Sequence, residues 1–180
     1  MAGQPDEDVS VAGIHTPDPF ALPQDSLGIA RYSSDGSLDT DFGNAGTLLR
    51  HLTTRRENRR VRDVEPSLGT VAFAADGSIV AATEVAIYTR RKLKYEAWIA
   101  RFRPDGSPDL SFGGDGYAFV GERTLLTPDA ISLQTDGSFY LAGYRFGRRD
   151  VSLALTHFNA GGGLDRGFGR RAGRGSPSAA

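Results

Sequence analysis

One sequence motif occurs three times along the chain and constrains the fold more than any other feature. Its two complete copies read Ala-Arg-aromatic-x-x-Asp-Gly-Ser-x-Asp-x-x-Phe-Gly at residues 30–43 and 100–113. A divergent third copy occupies residues 156–169, where His157 replaces the arginine and a glycine run replaces Asp-Gly-Ser. Recurrence on this scale predicts an array of similar supersecondary units, each packed against its neighbours.

A second motif alternates with the first and consists of two short apolar runs around Asp-Gly. It is clearest at residues 130–143 and recurs at residues 71–82. Apolar runs joined by Asp-Gly predict a β-hairpin, and we expect a type I′ turn with positive φ at both central residues. Residues 4–13 match only the second half of this motif, so the first repeat should lack its first strand.

Together the two motifs predict four short strands in each complete repeat, and no stretch carries a sustained helical period. We therefore expect an all-β, β-propeller-like array of about three four-stranded antiparallel blades, with the outer blades incomplete. The array forms a single repeat domain over residues 1–170, followed by a polar, disordered tail at residues 170–180. Repeat 1 spans about residues 4–52, repeat 2 about 68–121, and repeat 3 about 128–169 without a convincing fourth strand.

The chain resembles the delta-60 repeat family of bacterial tandem-repeat proteins. The resemblance rests on the motif at residues 30–43 and 100–113 and on Leu-Gln-Thr-Asp-Gly and Leu-Ala-Gly at 133–137 and 141–143. It covers about residues 4–170 and implies a propeller-like fold, usually within longer secreted or cell-surface proteins that carry more copies. It implies no catalytic residues, because the family has no established activity.

Composition excludes several classes of function. The formal net charge of −1 gives no overall attraction to nucleic acid or to an anionic membrane. The absence of cysteine excludes disulfides and thiolate metal sites, and leaves the redox compartment open. The acidic start of the sequence lacks the basic and apolar segments of a secretory signal, and no apolar run approaches the length of a membrane span.

The long motif also repeats a cation and a carboxylate eight residues apart. The three pairs are Arg31 with Asp39, Arg101 with Asp109, and His157 with Asp165. We expect each pair to meet and to hold the turn against the sheet. A ligand site rarely recurs in every blade, whereas a framework contact must, so the pairs are interpreted as structural.

No catalytic, cofactor-binding or metal-ligating residues are predicted. Asp35, Ser37, Asp39 and Asp41 alternate as Ca²⁺ ligands do, but they lack the order of a calcium loop and its terminal glutamate. Turn hydrogen bonds are the favoured interpretation of these side chains. The three histidines have no ligand spacing, and no serine lies in a nucleophile-elbow sequence.

Three arginine-rich connections, at residues 50–62, 90–94 and 145–149, are expected to lie at one end of the sheets. The Asp-Gly turns would lie at the other end, because successive connections of an antiparallel meander alternate. The basic end is a hypothetical polyanion-binding surface. Its residues are Arg55, Arg56, Arg59, Arg60, Arg90, Arg91, Lys92, Arg148 and Arg149.

These observations predict a non-enzymatic repeat module, structural or binding, that resembles a fragment of a larger propeller. The alternatives are an enzyme with its site in the central channel and a polyanion-binding domain. A propeller needs about four blades to close, so the outer repeats should leave apolar faces uncovered. The expected partners are a second copy, which would complete a six-bladed ring as a homodimer, or further repeats of a longer chain.

Overall fold

The computed structural model consists of β-strands joined by turns. The residues that it describes are 9–15, 26–51, 61–66, 69–89, 93–121, 127–146 and 150–169. Every regular element in these ranges is a strand, as the sequence predicted. The strands are β1 (Val9–His15), β2 (Ser26–Tyr32), β3 (Thr47–His51), β4 (Val61–Pro66), β5 (Thr70–Phe73), β6 (Ile79–Thr89), β7 (Leu93–Phe102), β8 (Tyr117–Gly121), β9 (Thr127–Leu133), β10 (Phe139–Phe146) and β11 (Val151–Phe158).

The strands form three antiparallel sheets, one for each repeat. The first has the order β1-β2-β3, the central one β4-β6-β7-β8 with β5 also paired to β6, and the third β11-β10-β9. In the central sheet, β5 pairs with β6 from Ile79 to Ala82 and β4 pairs with it from Val85 to Thr89. The two short strands therefore share the edge position that a single first strand was expected to take.

The outer sheets contain three strands each within the described ranges, and they are incomplete at opposite ends. Matched to repeat 2, the sheet of repeat 1 contains the second, third and fourth strands, whereas that of repeat 3 contains the first, second and third. The predicted fold class, a propeller-like array of about three antiparallel blades with incomplete outer blades, is confirmed. Residues 170–180, which the sequence predicts to be disordered, lie outside the described residues.

The Asp-Gly turns are not type I′, so that prediction is wrong. In the best copy, Gln134 N donates to Ser138 O at 2.9 Å and Gly137 N donates to Gln134 O at 3.0 Å. Gly137 has φ of 79°, whereas Ala45 is the one described non-glycine residue with positive φ. The loop is therefore a three-residue type, a type I turn followed by a left-handed glycine.

A side-chain contact explains why this turn is preferred. The Asp136 carboxylate accepts hydrogen bonds from Ser138 N at 2.9 Å and Ser138 Oγ at 2.6 Å. The same backbone pattern recurs in four further turns, at residues 33–37, 74–78, 103–107 and 159–163. The carboxylate holds a residue two positions on, as in an Asx turn, so the aspartate needs no positive φ.

The core lies in two layers between the sheets. One cluster joins Leu27 and Ile29 of β2 to Ile79 and Ala81 of β6 and their neighbours. A second cluster places the alternate β6 residues, Val80 and Ala82, against Phe139, Leu141 and Phe158. Strands β6 and β7 are thus covered on both faces, which accounts for their almost continuous apolar sequence.

Replacing Gly137 with valine should lower the free energy of unfolding by about 1–3 kcal/mol, because a β-branched residue resists positive φ. A Cβ at this position would also lie 3.2 Å from the Cβ of Ala160. Gly13→Val is the control, because Gly13 has no positive φ and no described atom within 4 Å of a built Cβ. Urea melts measure both, and equal midpoints for Gly137→Val and wild type would contradict the turn assignment.

Candidate functional site

The recurring polar residues lie where one sheet meets the next, and the predicted pairs form. Arg31 Nε lies 2.5 Å from Asp39 Oδ2, and Arg101 Nε lies 2.6 Å from Asp109 Oδ2. These four side chains are between 14% and 19% exposed, so solvent screens them only partly. In repeat 3, His157 Nδ1 lies 3.1 Å from Asp165 Oδ2.

Each arginine makes a second bond that the sequence did not predict. Arg31 Nη1 donates to Pro104 O at 2.7 Å, and Arg101 Nη1 donates to Ala160 O at 2.6 Å. Both acceptors are backbone carbonyls in the turn that follows the third strand of the next repeat. One guanidinium therefore joins the carboxylate of its own repeat to the turn of its successor, a task that its planar set of donors suits.

The Phe-Gly dipeptide that ends the motif forms the rest of the contact. Gly43 N donates to Asp105 O, and Gly113 N donates to Gly161 O, both at 2.9 Å. The guanidinium group of the arginine also lies over the ring of the phenylalanine in this dipeptide. The guanidinium carbon is 4.7 Å from the ring centre in the pair Arg31–Phe42 and 5.1 Å in the pair Arg101–Phe112.

The glycine of the next turn lies so close to this dipeptide that a side chain there would force neighbouring atoms to shift. A Cβ built at Gly106 would lie 3.2 Å from Gly43 Cα and from the ring of Phe42. At Gly162 it would lie 2.9 Å from the ring of Phe112. We name the arginine, aspartate and Phe-Gly of one repeat, with the turn that they contact in the next, the repeat joint.

Hydrogen bonds lower the pKa of two of the joint carboxylates, those of Asp109 and Asp165. Burial raises the pKa of Asp109, but hydrogen bonds from Ser111 and the charge of Arg101 outweigh it and hold the pKa below its ordinary value. In repeat 3, the hydrogen bond from His157 contributes most to lowering the pKa of Asp165. The carboxylates therefore act as fixed acceptors at neutral pH.

The third copy of the joint has no described partner. Phe168 corresponds to Phe42 and Phe112, which are both 0% exposed, yet Phe168 is 37% exposed. The His157 ring lies against Tyr140 and Phe168, with ring centres 4.7 and 5.8 Å apart. Repeat 3 thus presents the side chains of a joint to solvent.

The nine residues of the hypothetical polyanion-binding surface all lie outside the described residues, and their role stays a prediction. They are Arg55, Arg56, Arg59, Arg60, Arg90, Arg91, Lys92, Arg148 and Arg149. Neighbouring basic residues lie in strands instead of connections. Arg50 belongs to β3 and donates to the hydroxyl of Tyr117 in β8, and Arg145 belongs to β10.

Two other contacts between repeats gave no sequence signal, because single polar residues in unrelated strands form them. Arg50 joins repeat 1 to repeat 2, and Thr127 Oγ1 donates to Glu84 Oε2 at 2.5 Å between repeats 3 and 2.

The aspartates that alternate like calcium ligands make turn hydrogen bonds, as favoured from the sequence: Asp35 accepts from Ser37, and Asp39 from Arg31 and Asp41. Across the described ranges, no three acidic or histidine side chains cluster as metal ligands would.

Comparison with known families supports the propeller type of repeat. The model of a β-propeller domain of unknown function (DUF5122) matches residues 22–42 and 97–112. The first stretch contains β2 and the second contains the last six residues of β7, and both include an arginine–aspartate pair. No curated protein matches the chain. The part of the chain that the structure describes contains no helix long and apolar enough to cross a membrane.

A double-mutant cycle measures the Arg101–Asp109 pair. Arg101→Ala and Asp109→Ala should each lower the free energy of unfolding by about 1–3 kcal/mol, because each leaves a partly buried charged group without its partner. The double variant should lose less than the two single losses together. Arg103→Ala, at an exposed neighbouring position, is the control and should change stability by less than about 0.5 kcal/mol. Strict additivity would mean that the pair does not interact.

Proposed function

We propose that the chain is a non-enzymatic repeat module, structural or binding, whose motif residues join each repeat to the next in a propeller-like array. The observation that carries the proposal is the double engagement of Arg101 with Asp109 and with the Ala160 carbonyl of repeat 3. The same engagement occurs one repeat earlier. At a finer level, the motif supports assignment to delta-60 repeats, in which such units recur in tandem.

The bonding of the motif side chains supports a framework role over a catalytic one. Arg101 spreads its donors over Asp109, Ala160 and Ser111, and the ring of Phe112 covers its guanidinium. A group engaged in this way offers a substrate few free donors. A general acid, a base or a nucleophile needs a side chain that can reach the reacting atoms.

The first strands support the same conclusion, because an enzyme of this architecture would use groups that converge on the central channel. Val71 and Phe73 pack against the core between repeats 1 and 2. Ile131 and Leu133 pack against the core between repeats 2 and 3. These strands therefore bring apolar side chains to positions where a channel enzyme would need polar ones.

The matched pair Gly106 and Gly36 tests the proposal. Both have φ of +83°, but only Gly106 contacts the preceding repeat in the described structure. Alanine at either position incurs a similar backbone cost, of about 1 kcal/mol or more. Gly106→Ala should cost about 1–3 kcal/mol beyond Gly36→Ala, because the added methyl group pushes the joint apart. Urea unfolding at low protein concentration measures the difference.

The steepness of the urea-induced unfolding transition provides a second readout. In an array stabilised by contacts between neighbours, a weakened joint lets the repeats unfold separately, so Gly106→Ala should also broaden the transition or divide it. Residues that serve a ligand behave differently, and their replacement often leaves stability unchanged or increased. Equal losses and equal slopes for Gly106→Ala and Gly36→Ala would overturn the framework role.

A further inference from the structure

One face of the third strand of each repeat is directed toward the following repeat. This face is buried in repeats 1 and 2 and exposed in repeat 3. Two residues of the third strand form it in each repeat: Leu27 and Ile29 in repeat 1, Ala97 and Ile99 in repeat 2, and Leu153 and Leu155 in repeat 3. The first two pairs are at most 4% exposed, because the next sheet covers them. Leu153 and Leu155 are 81% and 54% exposed. We name this face, with Phe168, the successor face of repeat 3.

The opposite face of repeat 1 shows the complementary exposure. Val9 and Val11 of β1 correspond in repeat 2 to Ile79 and Ala81, which lie in the core between repeats 1 and 2. In repeat 1, Val9 and Val11 are exposed, and so is Leu49 of β3. We name Val9, Val11 and Leu49, with the turn at residues 33–37, the predecessor face of repeat 1. Exposed apolar side chains grouped on one sheet face can mark an interaction surface.

The two faces also carry the backbone parts of a joint. The predecessor face carries the turn with Gly36, and the Phe-Gly dipeptide that ends at Gly169 belongs to the successor side. A Cβ built at Gly36 meets no described atom within 4 Å, whereas the equivalent positions Gly106 and Gly162 press against a Phe-Gly dipeptide. Gly43 N and Gly113 N are bonded across the joints within the chain, whereas the equivalent amide of Gly169 has no described acceptor. The chain therefore carries both halves of a joint, and in the described structure neither half is engaged.

We propose that the successor face of repeat 3 binds the predecessor face of repeat 1 in a second copy of this chain. The contact repeats the two joints within the chain. Leu153 and Leu155 pack on Val9 and Val11 of the second copy, and Gly169 N donates to the Asp35 carbonyl. The inference rests on the framework role proposed above, because it extends the same contact from one chain to two.

Symmetry explains why a second copy satisfies both faces. A single head-to-tail contact leaves one successor face and one predecessor face open, and would continue into a filament. Two copies related by a two-fold axis make the contact twice and close the ring, which covers all four faces. Three repeats from each copy then give six in a closed array, within the usual range for propellers.

His157 makes this contact weaker than the joints within the chain. In those joints, arginine Nη1 donates to the carbonyl of residue 104 or 160, and the equivalent acceptor is Ser34 O. The shorter imidazole pairs with Asp165 but lacks the forked reach of a guanidinium. The contact between copies should therefore be reversible. His157→Arg adds one charge-assisted hydrogen bond at each of the two contacts, so it should strengthen each contact about tenfold and the dimer about a hundredfold.

Sedimentation equilibrium of the whole chain tests the inference. Wild type should show a monomer–dimer equilibrium. Leu155→Asp and Val11→Asp should each raise the dissociation constant by at least about thirtyfold, because each would bury an unpaired charge. Leu110→Asp is the matched control, since Leu110 is 61% exposed in the turn of a repeat that has both neighbours. All three positions face solvent in the described structure, so the unfolding midpoint of each dilute variant should stay near that of wild type.

A mixing experiment distinguishes head-to-tail binding from pairing of identical faces. Leu155→Asp leaves the predecessor face intact, and Val11→Asp leaves the successor face intact, so an equimolar mixture should form a heterodimer through one contact. If Leu155→Asp alone abolished association and Val11→Asp had no effect, the successor face would pair with itself, which would overturn the proposal. Wild type that stays monomeric at every concentration would also overturn it. Neither outcome affects the comparison of Gly106 with Gly36, which tests the framework role separately.

Discussion

The contact between neighbouring repeats depends on the hydrogen bonds that the guanidinium group of Arg101 donates. Its Nε holds the Asp109 carboxylate of its own repeat, and its Nη1 holds a backbone carbonyl of the next. Charge-assisted hydrogen bonds are roughly twice as strong as neutral ones, and the rigid guanidinium loses little entropy when it forms several. A single side chain therefore fixes both the turn that follows its strand and the position of the neighbouring sheet.

The other motif residues follow from this geometry. The aspartate lies eight residues after the arginine because the intervening turn must bring the chain back beside the end of the strand that carries the arginine. The phenylalanine fills the space beneath the guanidinium, and the glycine after it offers an amide to the next turn. The turn glycine is required for its positive φ and again for its contact with the Phe-Gly of the preceding repeat. The sequence between Arg101 and Gly113 therefore contributes to two joints, because Gly106 contacts repeat 1 whereas Arg101 and Gly113 bind repeat 3.

Local features of the fold were predictable from the sequence, and contacts between distant atoms were not. The arginine–aspartate pairs could be predicted because eight residues of strand and turn bring them together. Their second acceptors, the carbonyls of Pro104 and Ala160, are backbone atoms that no residue type reveals. The turn type was mistaken because Asp-Gly suits both geometries, and the serine after Gly137 decides between them by binding Asp136. Strand β4 was missed because its charged residues interrupt the alternation that identifies a strand.

Hydrogen exchange at the joint amides tests the central claim most directly. Gly43 N and Gly113 N donate across the joints, whereas Gly169 N is the equivalent amide in repeat 3. In dilute protein, the first two amides should exchange slowly and Gly169 rapidly, because among the described residues only the first two are bonded to a following repeat. Arg101→Lys should accelerate exchange at Gly113 more than at Gly43. Exchange at Gly113 as fast as at Gly169 in wild type would contradict the account.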